Sequence, residues 1–428
     1  MSLAPTQEQD RIEMLDVLRG FALLGILLLN IIGFGLYSGA YSAPGTAMSG
    51  PLDVGVWGFI ELFAEGAMRG LFSILFGAGV VLFTLGQRTG DQRPSGLHFV
   101  RNFWLLIFGI FDAYILLWTG DILLVYALAA FLLFWVRNVS PNKLAICAAV
   151  LIVLMSLLHL VSHYGLSTAR DVSLQVEGLP AEQISAEQQA AVEAWEGFAV
   201  DYEVDEQTVA QEMAARRTSY ATALAFTADY MVDILVFVLP LYLFWDALAM
   251  MLLGMALYKW RVLQGGGGVG LYHRLMLVGF PLGLAFNGWE VAAAIRCDFD
   301  LLASFAQLQW TYHFGRLGMA LGYLGLIGWI VEKGSLARLR RALANVGRMA
   351  LTNYLMHSVI CLFVFTGAGL GLVGEFSRAG LYPVVLAIWV LQLWLSTFWL
   401  SRYRYGPVEW LWRALTYRQF PALVRNPA

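Results

Sequence analysis

Residues 15–35 read LDVLRGFALLGILLLNIIGFG, and this stretch decides the fold class. Asp16 and Arg19 stand at its start, and from Gly20 no charged residue follows until Asp53. A run of this length crosses a hydrocarbon layer of ~30 Å as one α-helix. At 100° per residue, Asp16, Arg19 and Asn30 fall on one stripe, with Asn30 roughly 16 Å beyond Arg19. Asp16 and Arg19 are three residues apart and can pair. Gly20 and Gly25 allow close helix approach.

The rest of the chain repeats this pattern. Of 428 residues, 59% are hydrophobic and 13% charged, an apolar surplus that a water-soluble core does not need. Apolar runs recur near 17–37, 57–85, 102–119, 121–136, 143–163, 229–258, 271–295, 307–332, 349–370 and 382–401. They predict an all-α, polytopic membrane bundle of about ten helices. Residues 1–428 form a single membrane domain in this reading. The 15 Trp and 18 Tyr suit interfacial belts. A net charge of −3 with no basic domain excludes a nucleic-acid partner.

Charge sets the expected orientation. With the N-terminus inside, nineteen of the 27 Lys and Arg fall in cytoplasmic segments, Arg11, Arg88 and Arg93 among them. Five fall outside: Arg170, Arg216, Arg217, Arg296 and Arg378. Arg19, Arg69 and Arg316 fall in or beside spans. Both termini are therefore expected in the cytoplasm of a cell (inner or plasma) membrane, with 402–428 as a basic tail. The N-terminus lacks the basic n-region and cleavage site of a signal peptide, so the first apolar run is expected to stay as a span. The segment 164–228 carries ten Asp and Glu between Glu177 and Glu212 and is rich in Ala and Gln over 185–217. It reads as an acidic helical insertion outside, a hydrophilic cap or a lid.

Ionisable residues at membrane depth are the candidate site, because each costs several kcal/mol unless paired or hydrated. Glu61, Glu65 and Arg69 follow at four-residue steps, the favourable sense for a Glu–Arg pair. Asp112 and Asp121 lie in and after the third span, and Asp121 suits an N-cap of the fourth. Asp229, Asp233, Asp246, Asn287, Glu290, His313 and Arg316 suggest an outward-facing polar pocket. Asn353, Tyr354 and His357 share the ninth span, where a neutral histidine can act as a base or relay. A histidine satisfied by a neighbouring helix is the plainer reading. No second histidine stands at metal-ligand spacing to His357, and Cys147, Cys297 and Cys361 form no metal or disulfide pattern, so no metal is expected.

Four motifs carry a resemblance over nearly the whole chain. These are RIEMLDVLRGFALLGILLLNIIGFG at 11–35, RGLFSILFGAG at 69–79, NVGRMALTNYLMHSVI at 345–360 and RYRYGPVEWLWRALTY at 402–417. Together they resemble the YeiB-like membrane family, domain of unknown function 418. More remotely, the Asp16-x-x-Arg19-Gly20 opening and Asn30 are similar to the transmembrane acyltransferases that include the lysosomal heparan glucosaminide acetyltransferase. That resemblance implies an acyl donor, commonly acyl-CoA, reached from the cytoplasm, and a hydroxyl or amino acceptor outside. Those enzymes use a histidine after the first span as base, and residues 31–56 contain none. His357 or His313 would replace it.

The leading expectation is therefore an acyltransferase-like protein. Its catalytic candidates are His357, His313 and Asn30, and its binding candidates are Asp16, Arg19, Arg69, Glu65, Arg316, Asn353, Tyr354 and Asp233. No tightly bound cofactor is expected. The partners are the bilayer, a small-molecule, sugar or lipid acceptor, and a second copy as a homodimer. The alternative is a transporter of a small metabolite or lipid precursor, and a third reading is a non-catalytic membrane scaffold.

Overall fold

A computed structural model describes residues 12–85, 95–202, 204–265, 267–305 and 308–425. Arg11, Arg88 and Arg93 lie outside them. The described residues are helical, with one isolated bridge, Tyr403 to Val424, and no strand. The helices are α1 (Glu13–Gly35), α2 (Pro51–Phe63), α3 (Ala67–Leu85), α4 (Ser95–Tyr114), α5 (Leu123–Val136) and α6 (Pro141–Val176). Then follow α7 (Ala186–Tyr202), α8 (Glu206–Thr218), α9 (Tyr220–Asp233), α10 (Phe244–Lys259), α11 (Gly268–Arg296) and α12 (Tyr312–Glu332). The chain closes with α13 (Ala337–Arg348), α14 (Ala350–Phe365), α15 (Tyr382–Arg402) and α16 (Pro407–Tyr417). Short helical turns lie between several of these.

Seven stretches are long and apolar enough to cross a membrane, and α13 with α14, bent by 78°, forms an eighth at most. Of the ten expected spans, the two outside that set are α4 and α5. The latter is apolar but only 14 residues long. The outer surface carries bare apolar side chains, such as Trp135 at 72% and Val390 at 68% exposure, as lipid-facing helices must.

Small residues let these helices touch backbone to backbone. A Cβ on Gly77 of α3 would lie 2.0 Å from the Met251 carbonyl oxygen of α10. The reverse holds for Gly254, whose Cβ would meet the Ile74 oxygen at 1.9 Å. Gly279 and Gly283 of α11 meet Gly318 and Gly322 of α12 in the same way. Such contacts supply the dispersion that joins helices where no hydrophobic effect acts between them.

Two spans are irregular. The apolar stretch Pro51–Leu85 is interrupted at 64–66, where Gly66 has φ +62°. The stretch Tyr220–Lys259 contains a π-helical segment, Ile234–Leu243, with Pro240 inside it. Proline withholds an N–H from the ladder, and π segments mark functional positions more often than ordinary helix does.

The helix α6 has 36 residues, roughly 54 Å at 1.5 Å per residue, and so overruns a bilayer. Its far half leads into α7 and α8. Trp195, Phe198 and Tyr202 of this insertion pack on Leu302, Phe305 and Leu308. The two ends of the bundle are hereafter the basic face, where α1 begins, and the insertion face.

Candidate functional site

The break at 64–66 makes the site. The backbone leaves α2 after Phe63 and resumes at Ala67, which turns the Glu65 side chain inward, 6% exposed. Gly66 is needed on two counts. Its φ is left-handed, and a Cβ there would stand 2.7 Å from Arg316 Cδ.

Around this break three helices place charge. Arg316 of α12, 1% exposed, makes a short ion pair with Asp246 of α10. Arg69 of α3 approaches the other oxygen of Asp246 at 3.7 Å and donates to Tyr312 Oη at 2.7 Å. Tyr312 donates to Glu65 Oε1 at 3.2 Å, and Tyr41 donates to the same atom at 2.7 Å. The two arginines and two carboxylates balance. The expected i,i+4 pair between Glu65 and Arg69 does not form, because the helix breaks between them. Tyr312 bridges them instead.

His313 sits on this charge network. Its Nδ1 lies 3.4 Å from Asp246 Oδ1 and 3.3 Å from Arg316 Nη2, and it is 2% exposed. A proton on Nδ1 is held by Asp246 and leaves a lone pair on Nε2. Without that proton, Nδ1 accepts from Arg316 and the proton sits on Nε2. Nε2 has no hydrogen-bond partner among the described residues. The ring of His159 from α6 lies 4.8 Å from that of His313, and its Nε2 is also unpartnered. Glu65 Oε2, Arg69 Nε and Arg316 Nε complete a set of buried polar atoms without partners. Such atoms mark a place for water or a ligand.

The remaining candidates lie elsewhere. Asp16 and Arg19 pair at 3.0 Å in the first turns of α1, toward the basic face. Asn30 is half-buried, and its side chain makes no hydrogen bond among the described residues. Asp229 and Asp233 are exposed on α9 and do not join the cluster. Asn287 donates to the Glu61 and Leu62 carbonyls and so pins the break, and Glu290 takes a short bond from Thr311. His357 Nε2 meets Gln392 Oε1 at 3.0 Å, and Gln392 donates to the Asn353 carbonyl at 2.8 Å. Asn353 in turn donates to Ser396 Oγ at 2.9 Å. His357 and Asn353 thus tie α14 to α15, and among the described residues no carboxylate bonds to that imidazole. Tyr354 accepts from Trp118 Nε1 at 3.2 Å and from the Ile122 N–H at 3.1 Å. Among the described residues no group of three or more His, Cys, Asp or Glu could hold a metal.

Sequence reasoning missed Tyr41, His159 and Tyr312. His159 had a visible signal, a histidine inside the apolar run MSLLHLVSH. The tyrosines had none, since tyrosine is common at span ends.

A family model described as a protein of unknown function, DUF418, matches residues 257–419. The chain is 32% identical over 410 residues to the uncharacterized protein YeiB of Escherichia coli strain K12, covering 94% of this chain and 96% of that one. This chain belongs to the YeiB-like DUF418 family. It is also 28% identical over 430 residues to the uncharacterized protein YxaH of Bacillus subtilis strain 168, across 99% of each chain. No solved structure matches it. The matched DUF418 region contains His313 and Arg316 together with the Asn353–His357 segment. Glu65, Arg69 and Asp246 come from the part of the chain before it.

Proposed function

We propose that this DUF418 protein is a membrane-embedded acyltransferase-like protein with His313 as its proton-transfer group. The observation that supports this reading is His313 Nδ1 placed between Asp246 and Arg316 while Nε2 stays unpartnered. A histidine so held can take a proton and return it, because each neighbour stabilises one of its tautomers. In the transfer, the acceptor hydroxyl or amine gives its proton to Nε2 and attacks the acyl carbonyl. The C–S bond of the donor thioester breaks as the new C–O or C–N bond forms. Nε2 then returns the proton to the leaving thiolate. Arg69 Nε is an unpartnered donor for the developing oxyanion.

The donor, acyl-CoA in this reading, enters from the basic face, taken as cytoplasmic in a cell membrane. The Asp16–Arg19 pair stands at that mouth. Asp246 lies 13 residues from Lys259, roughly 20 Å along α10 from the basic face. An extended acyl-pantetheine arm spans that distance, so the acceptor would meet it in the half nearer the insertion. His313 is favoured over His357 because Asp246 can stabilise its protonated ring, whereas the hydrogen-bond partner of the His357 ring is the neutral Gln392. The test is calorimetric binding of acetyl-CoA and CoA to purified protein, with thiol release followed on an acceptor panel. Micromolar binding weakened in Arg19→Ala, and thiol release lost in His313→Gln with binding kept, support the reading. No binding of either compound to folded protein overturns it.

A transport reading has its own observation. The break at Glu65–Gly66 and the π segment before Asp246 put irregular backbone beside one charged cluster, the arrangement that transporters use to line a midplane site. Substrate-induced protection of Cys-labelled positions on alternate faces, without thiol release, would favour it.

A further inference from the structure

A second buried acidic site lies apart from His313, between α4, α5 and α14. Asp112 is 0% exposed, and neither of its carboxylate oxygens closes a hydrogen bond. It faces Asp121 and the Ser358 hydroxyl. Among the described residues no arginine, lysine or histidine faces it. Asp121 is 7% exposed. Its Oδ2 accepts from the Leu124 N–H at 2.8 Å and caps α5, while its Oδ1 has no partner. Gly109 permits this arrangement, since a Cβ there would meet Asp121 Oδ2 at 2.7 Å. From α14, Tyr354 presents its hydroxyl beside Asp121; its oxygen accepts from two N–H donors, which leaves its own O–H to donate toward that carboxylate.

Two carboxylates held together out of water cannot both keep a negative charge without a counter-cation. Their repulsion and desolvation each cost several kcal/mol. An arginine or lysine commonly supplies the compensation, as it does for Asp246. Here the protein supplies hard oxygen ligands and no cation, which is the chemistry that takes up a proton or an alkali ion. A small cavity lies beside the turn that follows Asp112. The chain leaves α4 through Leu117, at φ +58°, and there Leu116, Leu117, Cys361, Thr366 and Arg216 border a cavity of about 20 Å³. That volume holds one water. It lies toward the insertion face, next to the turn that follows Asp112 and one turn of α14 beyond Ser358.

We propose that Asp112, Asp121 and Ser358 form a buried site for one monovalent cation, a proton or a sodium ion. The site stands independently of any reaction at His313. The full-length protein in detergent is melted at pH 6 and pH 8.5 in sodium chloride or in choline chloride of equal ionic strength. The infrared band of protonated carboxyl groups is recorded alongside. If sodium is the ion, it raises the midpoint at pH 8.5 by roughly 2 °C or more at a tenfold excess over its Kd, and choline does not. If the ion is a proton, sodium has no effect, and a protonated-carboxyl band present in the wild type is lost in Asp112→Asn. In either case Asp112→Asn, which carries the neutral shape, folds and loses the response. Asp121→Asn serves as the second variant should Asp112→Asn fail to fold. Equal sodium and pH responses in the wild type and the folded variant, with an unchanged infrared band, overturn the proposal.

Discussion

Gly347 of α13 lies against the backbone of Asp16 in α1, so closely that a Cβ on Gly347 would stand 1.9 Å from the Asp16 carbonyl oxygen. The contact is reciprocal. A Cβ on Gly20 would stand 1.9 Å from the Leu343 oxygen. The stretches 11–35 and 345–360 are therefore packed into one crossing. The glycine after Asp16-x-x-Arg19 has a steric role, separate from any role of the charges.

Replacing Gly20 or Gly347 by Ala is expected to lower stability by about 1–3 kcal/mol, because backbone cannot yield as a side chain can. Gly79→Ala is the control, since nothing lies within 4 Å of a Cβ there. Unfolding midpoints in detergent check this. A normal midpoint for Gly347→Ala would mean that the crossing is looser than described.

The Asp246 cluster separates stability from chemistry. Asp246→Asn leaves Arg69 and Arg316 buried against Glu65 alone, and loss of one partner of a buried pair costs about 3–5 kcal/mol. Adding Arg316→Gln is expected to restore part of that loss. His313→Gln removes no formal charge and is expected to cost about 1 kcal/mol, while abolishing any turnover that depends on Nε2. Melting curves for the four proteins, read beside thiol release, test both statements. Restoration absent in the double variant would show that Arg316 is balanced by Glu65 rather than Asp246.

The all-α membrane fold was legible because it rests on span length and charge content, which are properties of single segments. So was Asp121 as a cap, since capping is a local signal and its carboxylate does accept from Leu124. The site was legible only in part. Asp246, His313 and Arg316 were grouped from their depth near one face, and the structure brings them together. The break at Glu65–Gly66 was not legible. Glu61, Glu65 and Arg69 at four-residue steps read as one continuous helix, and only the left-handed Gly66, pressed against Arg316, shows otherwise. Asp233 is exposed on α9 and stands apart from that cluster. Helical periodicity gives a face, but it does not say whether that face meets protein or lipid.

Asp205 gives a prediction in pH. It caps α8 by accepting from the Gln207 and Thr208 N–H groups at 2.8 and 3.0 Å. The Thr208 hydroxyl and these N–H groups hold its carboxyl below the usual aspartate value. A lowered folded pKa means that the cap contributes fully above the unfolded value and fades as pH falls through the folded one. Amide exchange over 206–210, corrected for intrinsic rate, is therefore expected to rise at acid pH in the wild type. Asp205→Asn is expected to keep the cap and flatten that dependence, and Asp205→Ala to show fast exchange at every pH.

Arg216 carries the docking of the insertion. Its guanidinium donates to the Leu36, Gly33 and Phe34 carbonyls at 2.7, 3.0 and 2.8 Å, which closes the C-terminal end of α1. A cation is favoured there by the helix dipole as well as by the free carbonyls. Glu212 holds Arg216 at 2.9 Å and accepts from the Ser38 N–H at 2.9 Å, so the pair clamps both sides of the turn. Burial pulls the Arg216 pKa down and Glu212 opposes that shift, so the guanidinium stays charged. Arg216→Ala is expected to cost about 3 kcal/mol, the sum of two or three charge-assisted bonds less their solvation. Arg216→Lys is expected to recover less than half, because one ammonium cannot reach three carbonyls with fork geometry. Hydrogen exchange over 31–38 and 206–218 distinguishes a docked cap from a lid. Joint deprotection of both segments in Arg216→Ala, with wild-type exchange slow, identifies a fixed cap. Fast exchange of 206–218 in the wild type itself would mean that α8 leaves α1 readily, as a lid must.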